Sequence, residues 1–90
     1  MKVYLGKDGL SATWQEDFPK SIKCHKCKSN CRIMFVGFEH YPEDKGNFVC
    51  NLHNNTGAKK KGKFWPHDAI ACAVYLCEKC FEPNALINQA

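Results

Sequence analysis

Two Cys-x-x-Cys pairs constrain the fold of this chain more than any other feature. The first pair is Cys24 with Cys27, and the second is Cys77 with Cys80. Together they supply four thiolates, the full ligand set of a closed tetrahedral zinc site, and the short spacing lets one tight turn present both sulfurs of a pair to the same ion. The second pair completes such a site only if the chain folds back on itself. The motif therefore predicts one structural Zn²⁺ per chain together with a topology, while iron in the same thiolates is the alternative.

Length and cysteine usage place the chain in a broad class. It has 90 residues and seven cysteines. This length predicts one domain over residues 1–90, in which a bound metal would serve as an internal staple. The odd number of cysteines, four of them in the two pairs, argues against a disulfide framework. The first residues do not resemble a signal peptide, and no apolar run approaches the length of a membrane span. We therefore expect a cytoplasmic, thiol-reducing location.

The net charge of +4 is concentrated in one segment, because four lysines between residues 59 and 63 account for all of it. Asn, Gly and Lys dominate residues 54–63, which predicts a mobile basic loop. Lysines attract phosphates without sequence preference, and the aromatic pair that follows can stack on bases. The alternative is a solubilising loop whose aromatic residues turn into the core. The candidate nucleic-acid-binding residues are Lys59, Lys60, Lys61, Lys63 and Trp65.

A second basic cluster surrounds the first cysteine pair. A Cys₄–Zn²⁺ centre has a formal charge of −2, so basic neighbours would partly neutralise it and help to keep the thiols ionised. A ligand-binding role is the alternative. The cluster comprises Lys20, Lys23, Lys26, Lys28 and Arg32.

Local patterns predict a largely β-structured chain. The continuous apolar run at residues 69–76 fits either helix or strand. We assign it as a strand, because a metal-binding turn is normally delivered by an incoming strand. Turns are expected at residues 6–9 and 41–46, and Pro83 suits the start of a short helix over residues 85–90. The predicted strands are residues 2–5, 10–14, 21–24, 31–38, 47–53 and 69–76.

Two Cys-turn-Cys motifs, each following a strand, resemble the zinc-ribbon and rubredoxin-like group, in which two such knuckles on β-hairpins clasp one metal. The resemblance implies Cys24, Cys27, Cys77 and Cys80 as metal ligands. It also implies a small metal-bound β-rich (α+β) domain of antiparallel β-hairpins with a short C-terminal helix. A treble-clef finger is the alternative subclass. The resemblance covers the two pairs and their flanking strands, and leaves out residues 1–20 and the middle of the chain.

This chain departs from that group at two kinds of position. Such knuckles often carry glycine just after the second cysteine, because a left-handed residue there lets backbone N–H groups reach the sulfur. Here those positions hold Lys28 and Phe81. The prolines common within the knuckles are replaced by His25 and Glu78.

Other cysteines and histidines raise two further hypotheses. Cys50 and His53 repeat the ligand spacing and predict a second metal site, for which the available partners are Cys31, Cys72, His40 and His67. The alternative is that Cys31, Cys50 and Cys72 are small buried apolar residues. Catalysis by Cys72 with His67 and Asp68 would require an exposed, low-pKa thiol, whereas Cys72 lies among alanines. We therefore expect no enzyme activity.

Function is expected to reside in the surface of the domain. The first hypothesis is a zinc module that binds nucleic acid or a nucleic-acid-associated machine. The second is an accessory protein for assembly that uses exposed aromatic side chains, and the third is an iron electron carrier. Neither a membrane nor a small-molecule substrate is inferred. The aromatic candidates for the second hypothesis are Trp14, Phe18, Tyr41, Phe64 and Trp65.

Overall fold

A computed structural model describes residues 1–49 and 69–90. In that part of the chain, five strands form one sheet, and a single turn of 3₁₀ helix spans Gly6–Gly9. No helix in these two ranges is long and apolar enough to cross a membrane. The strands are β1 (Lys2–Leu5), β2 (Ser21–Lys23), β3 (Asn30–Phe38), β4 (Ile70–Cys77) and β5 (Pro83–Gln89).

All neighbouring strands are antiparallel, and the sheet order is β1-β3-β4-β5, with β2 also paired to β3. β1 and β2 therefore share one edge of β3. β1 covers the end of β3 that contains Phe35, which pairs with Leu5, and β2 covers the end that contains Arg32, which pairs with Ser21. The long strand β3 is thus the spine that connects the start of the chain to both cysteine turns.

Two hairpins of this sheet have the same register around their cysteine turns. In the β2–β3 hairpin, Ile22 pairs with Cys31, and in the β4–β5 hairpin, Tyr75 pairs with Asn84. Each of these pairs lies at the same distance from its Cys-x-x-Cys turn. Cys31 also pairs with Cys77 across β3 and β4, so the two hairpins lie side by side in one sheet. This arrangement brings both turns to the same end of the sheet.

The core lies on one face of the sheet. Tyr75 is completely buried there, and its hydroxyl donates a 2.6 Å hydrogen bond to the carbonyl oxygen of Pro19. Trp14 stacks on Phe38 with 4.9 Å between the ring centroids. The segment that follows the 3₁₀ helix covers this face through Leu10, Ala12, Trp14 and Phe18. The buried residues beneath it are Cys24, Cys31, Ile33, Val36, Ala71, Ala73, Tyr75 and Cys77.

Four of the predicted strands are confirmed: residues 2–5, 21–24, 31–38 and 69–76 correspond to β1 through β4. The strand predicted for residues 10–14 is wrong. Leu10 and Ala12 donate backbone hydrogen bonds to the carbonyls of Lys7 and Gly9, so the chain turns here instead of extending. The side chains of Leu10 and Ala12 pack against the core.

The short C-terminal helix is also wrong, because residues 83–89 form β5 along the edge of the sheet. Pro83 can begin this strand because the first residue of an edge strand does not need to donate to the ladder. Pairing with the apolar strand β4 along its whole length outweighs a weak local preference for helix. The strand predicted for residues 47–53 lies mostly outside the described residues, and Asn47 and Phe48 belong to no strand.

A buried carboxylate closes the other end of the sheet. Glu39 follows β3 and is 1% exposed. Its Oε1 accepts a 2.8 Å hydrogen bond from the N–H of Ile70, and its Oε2 accepts a 2.6 Å bond from the N–H of Val49. The Glu39 N–H donates to the carbonyl of Ile70 at 3.0 Å. Glu39 therefore joins the two points at which the described chain enters and leaves residues 50–68.

Candidate metal centre

The first cysteine turn is held by its own backbone. The N–H of Cys24 donates to the carbonyl of Ser29 at 2.8 Å, and the carbonyl of Cys24 accepts from the N–H of Lys28 at 3.0 Å. The N–H of Lys26 points back to the Sγ of Cys24 at 3.3 Å. The turn thus directs a backbone dipole at its first sulfur, which favours the thiolate over the neutral thiol.

The second turn repeats these bonds. The N–H of Cys77 donates to the carbonyl of Glu82 at 3.0 Å, and its carbonyl accepts from the N–H of Phe81 at 3.1 Å. The N–H groups of Lys79 and Cys80 both lie 3.4 Å from the Sγ of Cys77. The two turns are therefore equivalent knuckles, although their sequences share only the cysteines and one lysine.

Both knuckles contain a non-glycine residue in the left-handed region. Lys28 has φ of 67° and Phe81 has φ of 60°. These are the two positions where the zinc-ribbon and rubredoxin-like group often has glycine. Left-handed backbone costs about 1–2 kcal/mol for an ordinary L-residue, so a favourable interaction elsewhere in each turn must offset that cost. The absence of glycine in the sequence therefore does not change the shape of the knuckle.

The four sulfur atoms converge between the hairpins. All of them lie within 4.8 Å of one another. The Sγ atoms of Cys24 and Cys80 are 3.7 Å apart, and those of Cys27 and Cys77 are 3.4 Å apart. A tetrahedron with metal–sulfur bonds of about 2.3 Å has edges of about 3.8 Å, so the observed spacing fits a metal ion. Each of these two short distances joins one hairpin to the other, and a bound ion would cross-link them.

Electrostatics in the first knuckle favour ionised sulfur. The backbone N–H of Cys27, followed by the N–H of Lys26 and the side chain of Asn84, lowers the pKa of Cys24 to about 6 against the opposing effect of burial. The side chain and backbone of Ser29 lower the pKa of Cys27 as well. A metal would therefore meet a thiolate at Cys24 at neutral pH, which removes part of the cost of displacing protons.

The remaining thiols near the site differ from these two. The Glu82 N–H lowers the pKa of Cys80, but burial and hydrogen bonds to the neighbouring sulfurs outweigh it and raise that pKa to about 12. Burial, with the nearby Cys24 and Cys77 charges, raises the pKa of Cys31 to about 11. Cys31 lies next to the cluster without belonging to it. It is a neutral, buried thiol, as expected for one of the small apolar cysteines.

Asn84 links the two hairpins directly beneath the sulfurs. This residue of β5 is 7% exposed. Its Oδ1 accepts a 2.9 Å bond from the N–H of His25 and lies 2.5 Å from the Nδ1 of His25. Its Nδ2 donates to the sulfurs of Cys31 at 3.4 Å and Cys24 at 3.7 Å, and to the carbonyl of Glu82 at 3.0 Å. The sequence reasoning missed Asn84. The available signal was that Asn84 and Cys31 follow the first cysteine of their pairs at the same distance.

Charged side chains surround the sulfur cluster. Glu82 lies between two groups of the first knuckle, 3.8 Å from the Nζ of Lys26 and 3.7 Å from the Nε2 of His25. Lys28 Nζ donates to the carbonyl of His25 at 3.3 Å. All five members of the predicted basic cluster are exposed. Basic side chains therefore surround the first knuckle, and Glu82 of the second hairpin lies against two of its residues.

Several predicted site residues fall elsewhere. Within the described ranges, the four paired cysteines are the only group of three or more His, Cys, Asp or Glu side chains close enough to share an ion. His40 packs edge-on against Phe38 at 4.7 Å and lies 3.5 Å from the hydroxyl of Tyr4. The candidates that lie outside the described residues are Cys50, His53, Lys59, Lys60, Lys61, Lys63, Phe64, Trp65, His67 and Asp68.

The aromatic candidates for partner binding differ in how far their side chains are exposed. Phe18 is buried in the core, and Trp14 is half-buried against Phe38. Tyr41 is 58% exposed. Of these three side chains, only Tyr41 is available to a partner.

Comparison with known proteins adds no relative. No family model, no curated protein and no solved structure matches this chain. The fold and the site therefore define the class of protein by themselves. It is a small antiparallel β protein with a four-cysteine cluster that could hold a metal ion, consistent with a zinc-ribbon-like site.

Proposed function

We propose that the chain is a zinc-ribbon-like module in which one structural Zn²⁺ is bound by Cys24, Cys27, Cys77 and Cys80. The observation that carries this proposal is the spacing of the four sulfurs, with cross-hairpin distances of 3.7 and 3.4 Å. Zn²⁺ favours four thiolates in a tetrahedral arrangement. When bound, it would supply a cross-link between the two hairpins, which is a large contribution for a domain with so small a core.

A structural role follows from the number of ligands. A catalytic zinc keeps one coordination position open for water or substrate, whereas four cysteines fill all four positions. The backbone N–H groups that point at Cys24 and Cys77 orient the sulfurs further. Iron in the same thiolates would instead make an electron carrier, so identification of the metal separates these two functions.

The test is native mass spectrometry with elemental analysis of protein purified under reducing conditions. We expect one zinc per chain. Cys77→Ser should lose the metal and unfold, and Cys72→Ser is the matched control because Cys72 lies outside the sulfur cluster. Iron would select the electron carrier. A chain that takes up neither zinc nor iron, or a Cys77→Ser variant that keeps zinc and its Tm, would overturn the site.

We further propose that the module acts by binding nucleic acid or a nucleic-acid-associated machine. The observation that favours this is a groove of about 730 Å³ between the ends of β1 and β2. Lys7, Lys20 and Arg32 line it, together with Asp8 and Glu78. Basic side chains at a groove attract phosphate backbones in a salt-dependent manner. The basic segment at residues 59–63 and Trp65 belong to the same hypothesis.

Binding to single-stranded and duplex oligonucleotides, measured across a salt series, tests this second proposal. Lys20→Ser with Arg32→Ser should weaken binding and reduce its salt dependence, and a variant with serine at all four lysines of residues 59–63 should do the same. Lys45→Ser with Lys2→Ser is the control of equal charge, because both lie away from the groove. No binding at low salt would exclude nucleic acid and favour the protein-assembly alternative.

A further inference from the structure

The sheet presents two complete apolar rows on the face opposite the core. Their members follow from the strand registers, since residues paired across neighbouring strands point to the same side. The first row is Val3, Gly37, Cys72 and Ile87, and the second row is Leu5, Phe35, Val74 and Ala85. We call these eight residues the outer face.

In the described part of the chain, the outer face is exposed on its two edge strands, whereas Phe35, Cys72 and Val74 are partly buried and Gly37 is buried. Leu5 is 73% exposed, Ile87 is 63% exposed and Val3 is 54% exposed. The segment at residues 10–18 packs on the core face instead. The side chain of Met1 lies over Gly37, which adds a flexible thioether to the outer face. A soluble antiparallel sheet with one wet face normally alternates apolar and polar residues. At these two rows the sheet does not alternate, since β3 and β4 are apolar on both faces there.

The continuous apolar sequence of β4 also indicates a sheet that is apolar on both faces. Strands that are apolar on both sides are typical of sheets covered on both faces. Ile70, Cys72, Val74 and Leu76 alternate with the buried core residues of β4, and all four are only partly buried. An uncharged surface of this breadth marks an interaction site.

We propose that the outer face is a dimer interface, on which a second copy of this chain stacks face to face. The eight residues carry no charge and no strong hydrogen-bonding side chain, so the surface is complementary to itself. Isologous two-fold contacts of this kind are the commonest mode of self-association. The proposal rests on the sheet alone and is independent of the metal.

The available area suits a weak dimer. The eight residues span four strands, about 19 Å, and two side-chain repeats along each strand, about 14 Å, so they cover roughly 260 Å² in projection per copy. Side-chain relief brings the accessible area buried by two copies to about 800 Å², which is the range of weak, transient interfaces. We therefore expect a weak dimer that dissociates in the micromolar range.

The charge distribution selects one orientation. Lys23 and Arg32 lie on the outer side of the sheet at the knuckle end. A two-fold axis parallel to the rows, and midway between them, places the knuckle ends of the two copies at opposite ends of the dimer. This separates the two basic clusters and sets the first row of each copy against the second row of its partner. The parallel stack would place like charges together.

Analytical ultracentrifugation of the metal-loaded full chain, from about 1 µM to about 1 mM, tests the proposal because a micromolar dimer dissociates within this range. Ile87→Lys with Val3→Lys should shift the dissociation constant at least about 100-fold towards monomer, since each of the two copies would bury two charges. Both positions are exposed on edge strands, so the monomer should keep its circular dichroism and metal content. Tyr41→Lys adds a charge at an exposed aromatic residue outside the sheet, and should leave the dimer intact.

Isotope-filtered NOEs between labelled and unlabelled copies identify the surfaces in contact. Methyl contacts between Val3 or Ile87 of one copy and Leu5 or Ala85 of the other are the expected result. A wild-type chain that stays monomeric at about 1 mM would overturn the proposal. A dimer that survives Ile87→Lys with Val3→Lys would overturn it as well.

Discussion

The Nδ2 of Asn84 donates a hydrogen bond to the Sγ of Cys31 over 3.4 Å, and these two residues occupy equivalent positions in the two hairpins. The same side chain also bonds the backbone of His25 in the opposite knuckle. One buried amide thus fixes the position of one cysteine turn relative to the other. A metal ion would arrive at a site whose halves are already aligned.

Replacing Asn84 with Ala should weaken zinc binding by about 10- to 100-fold, the usual effect of removing a group that orients metal ligands. The change leaves all four cysteines in place but removes donors and acceptors shared by both hairpins. Competition with a chromophoric chelator measures the affinity. Asn88→Ala is the matched control, since Asn88 is an asparagine of β5 that bonds Thr13 and Trp14 instead. Equal zinc affinity in the two variants would contradict a role for Asn84.

Replacing Lys28 or Phe81 with Gly should stabilise the zinc-loaded protein by about 0.5–1 kcal/mol. Glycine adopts the left-handed conformation without steric cost, and the gain is reduced by its greater freedom in the unfolded chain. Both side chains are exposed, so little packing is lost. Urea titration of the metal-loaded forms gives the free energy of unfolding. Lys26→Gly and Lys79→Gly are the controls, because these lysines occupy equivalent positions in the two knuckles and have no positive φ. Both control variants should be less stable than the wild type. If Lys28→Gly lost as much stability as the controls, the left-handed conformation of Lys28 would carry no strain.

Glu39→Ala should lower the free energy of unfolding by about 3 kcal/mol, because the backbone N–H groups of Val49 and Ile70 lose a buried charged acceptor. Glu39→Gln keeps one amide oxygen and should lose about half as much. Denaturant titration provides the measurement. Glu43→Ala changes an exposed carboxylate and should stay within about 0.5 kcal/mol of the wild type. A Glu39→Ala variant as stable as this control would mean that Glu39 does not hold the sheet end together.

The number of protons released by zinc binding should depend on pH. The pKa of Cys24 is lowered from 9.0 to about 6 in the metal-free fold, so its stabilising effect is complete above pH 9 and is lost as pH falls to about 6. At pH 7.5 Cys24 is already ionised, and zinc releases no proton from it. At pH 5 its thiol is neutral, so proton release should rise by about one proton per zinc. Zinc affinity should therefore depend more steeply on pH at pH 5 than at pH 7.5.

Calorimetry in buffers of different ionisation enthalpy counts these protons. A release that is the same at both pH values would mean that the thiols have their ordinary pKa values before metal binds. The knuckles would then form only with the metal.

The sequence predicted the four-cysteine cluster and most strands, because both depend on local patterns. A Cys-x-x-Cys turn needs only its own residues, and β3 and β4 are long apolar runs. The residue after each knuckle was less informative. Glycine at this position would have indicated a left-handed backbone, but Lys28 and Phe81 adopt the same conformation without it. Local sequence preference gave way there to hydrogen bonds made by the turn.

Residues at the two edges of the domain were predicted less well. Leu10 and Trp14 look like strand residues, but they pack over the core because the 3₁₀ turn before them redirects the chain. A short helix was predicted over residues 85–90 because Pro83 suits a helix start, and a short sequence window does not show the pairing with β4 that makes this segment a strand. The role of Asn84 could not be predicted either, because it depends on a hydrogen bond with His25 in the other hairpin.

The division of the sulfur cluster between two hairpins has a consequence for biosynthesis. Cys27 and Cys77 are 50 residues apart along the chain, and Cys24 and Cys80 are 56 apart. A ribosome therefore makes the first knuckle well before the second, and two thiolates alone hold zinc weakly. Metal capture would then occur only when β4 and β5 have emerged. In a cell, the chain would therefore bind zinc only after both hairpins had been translated.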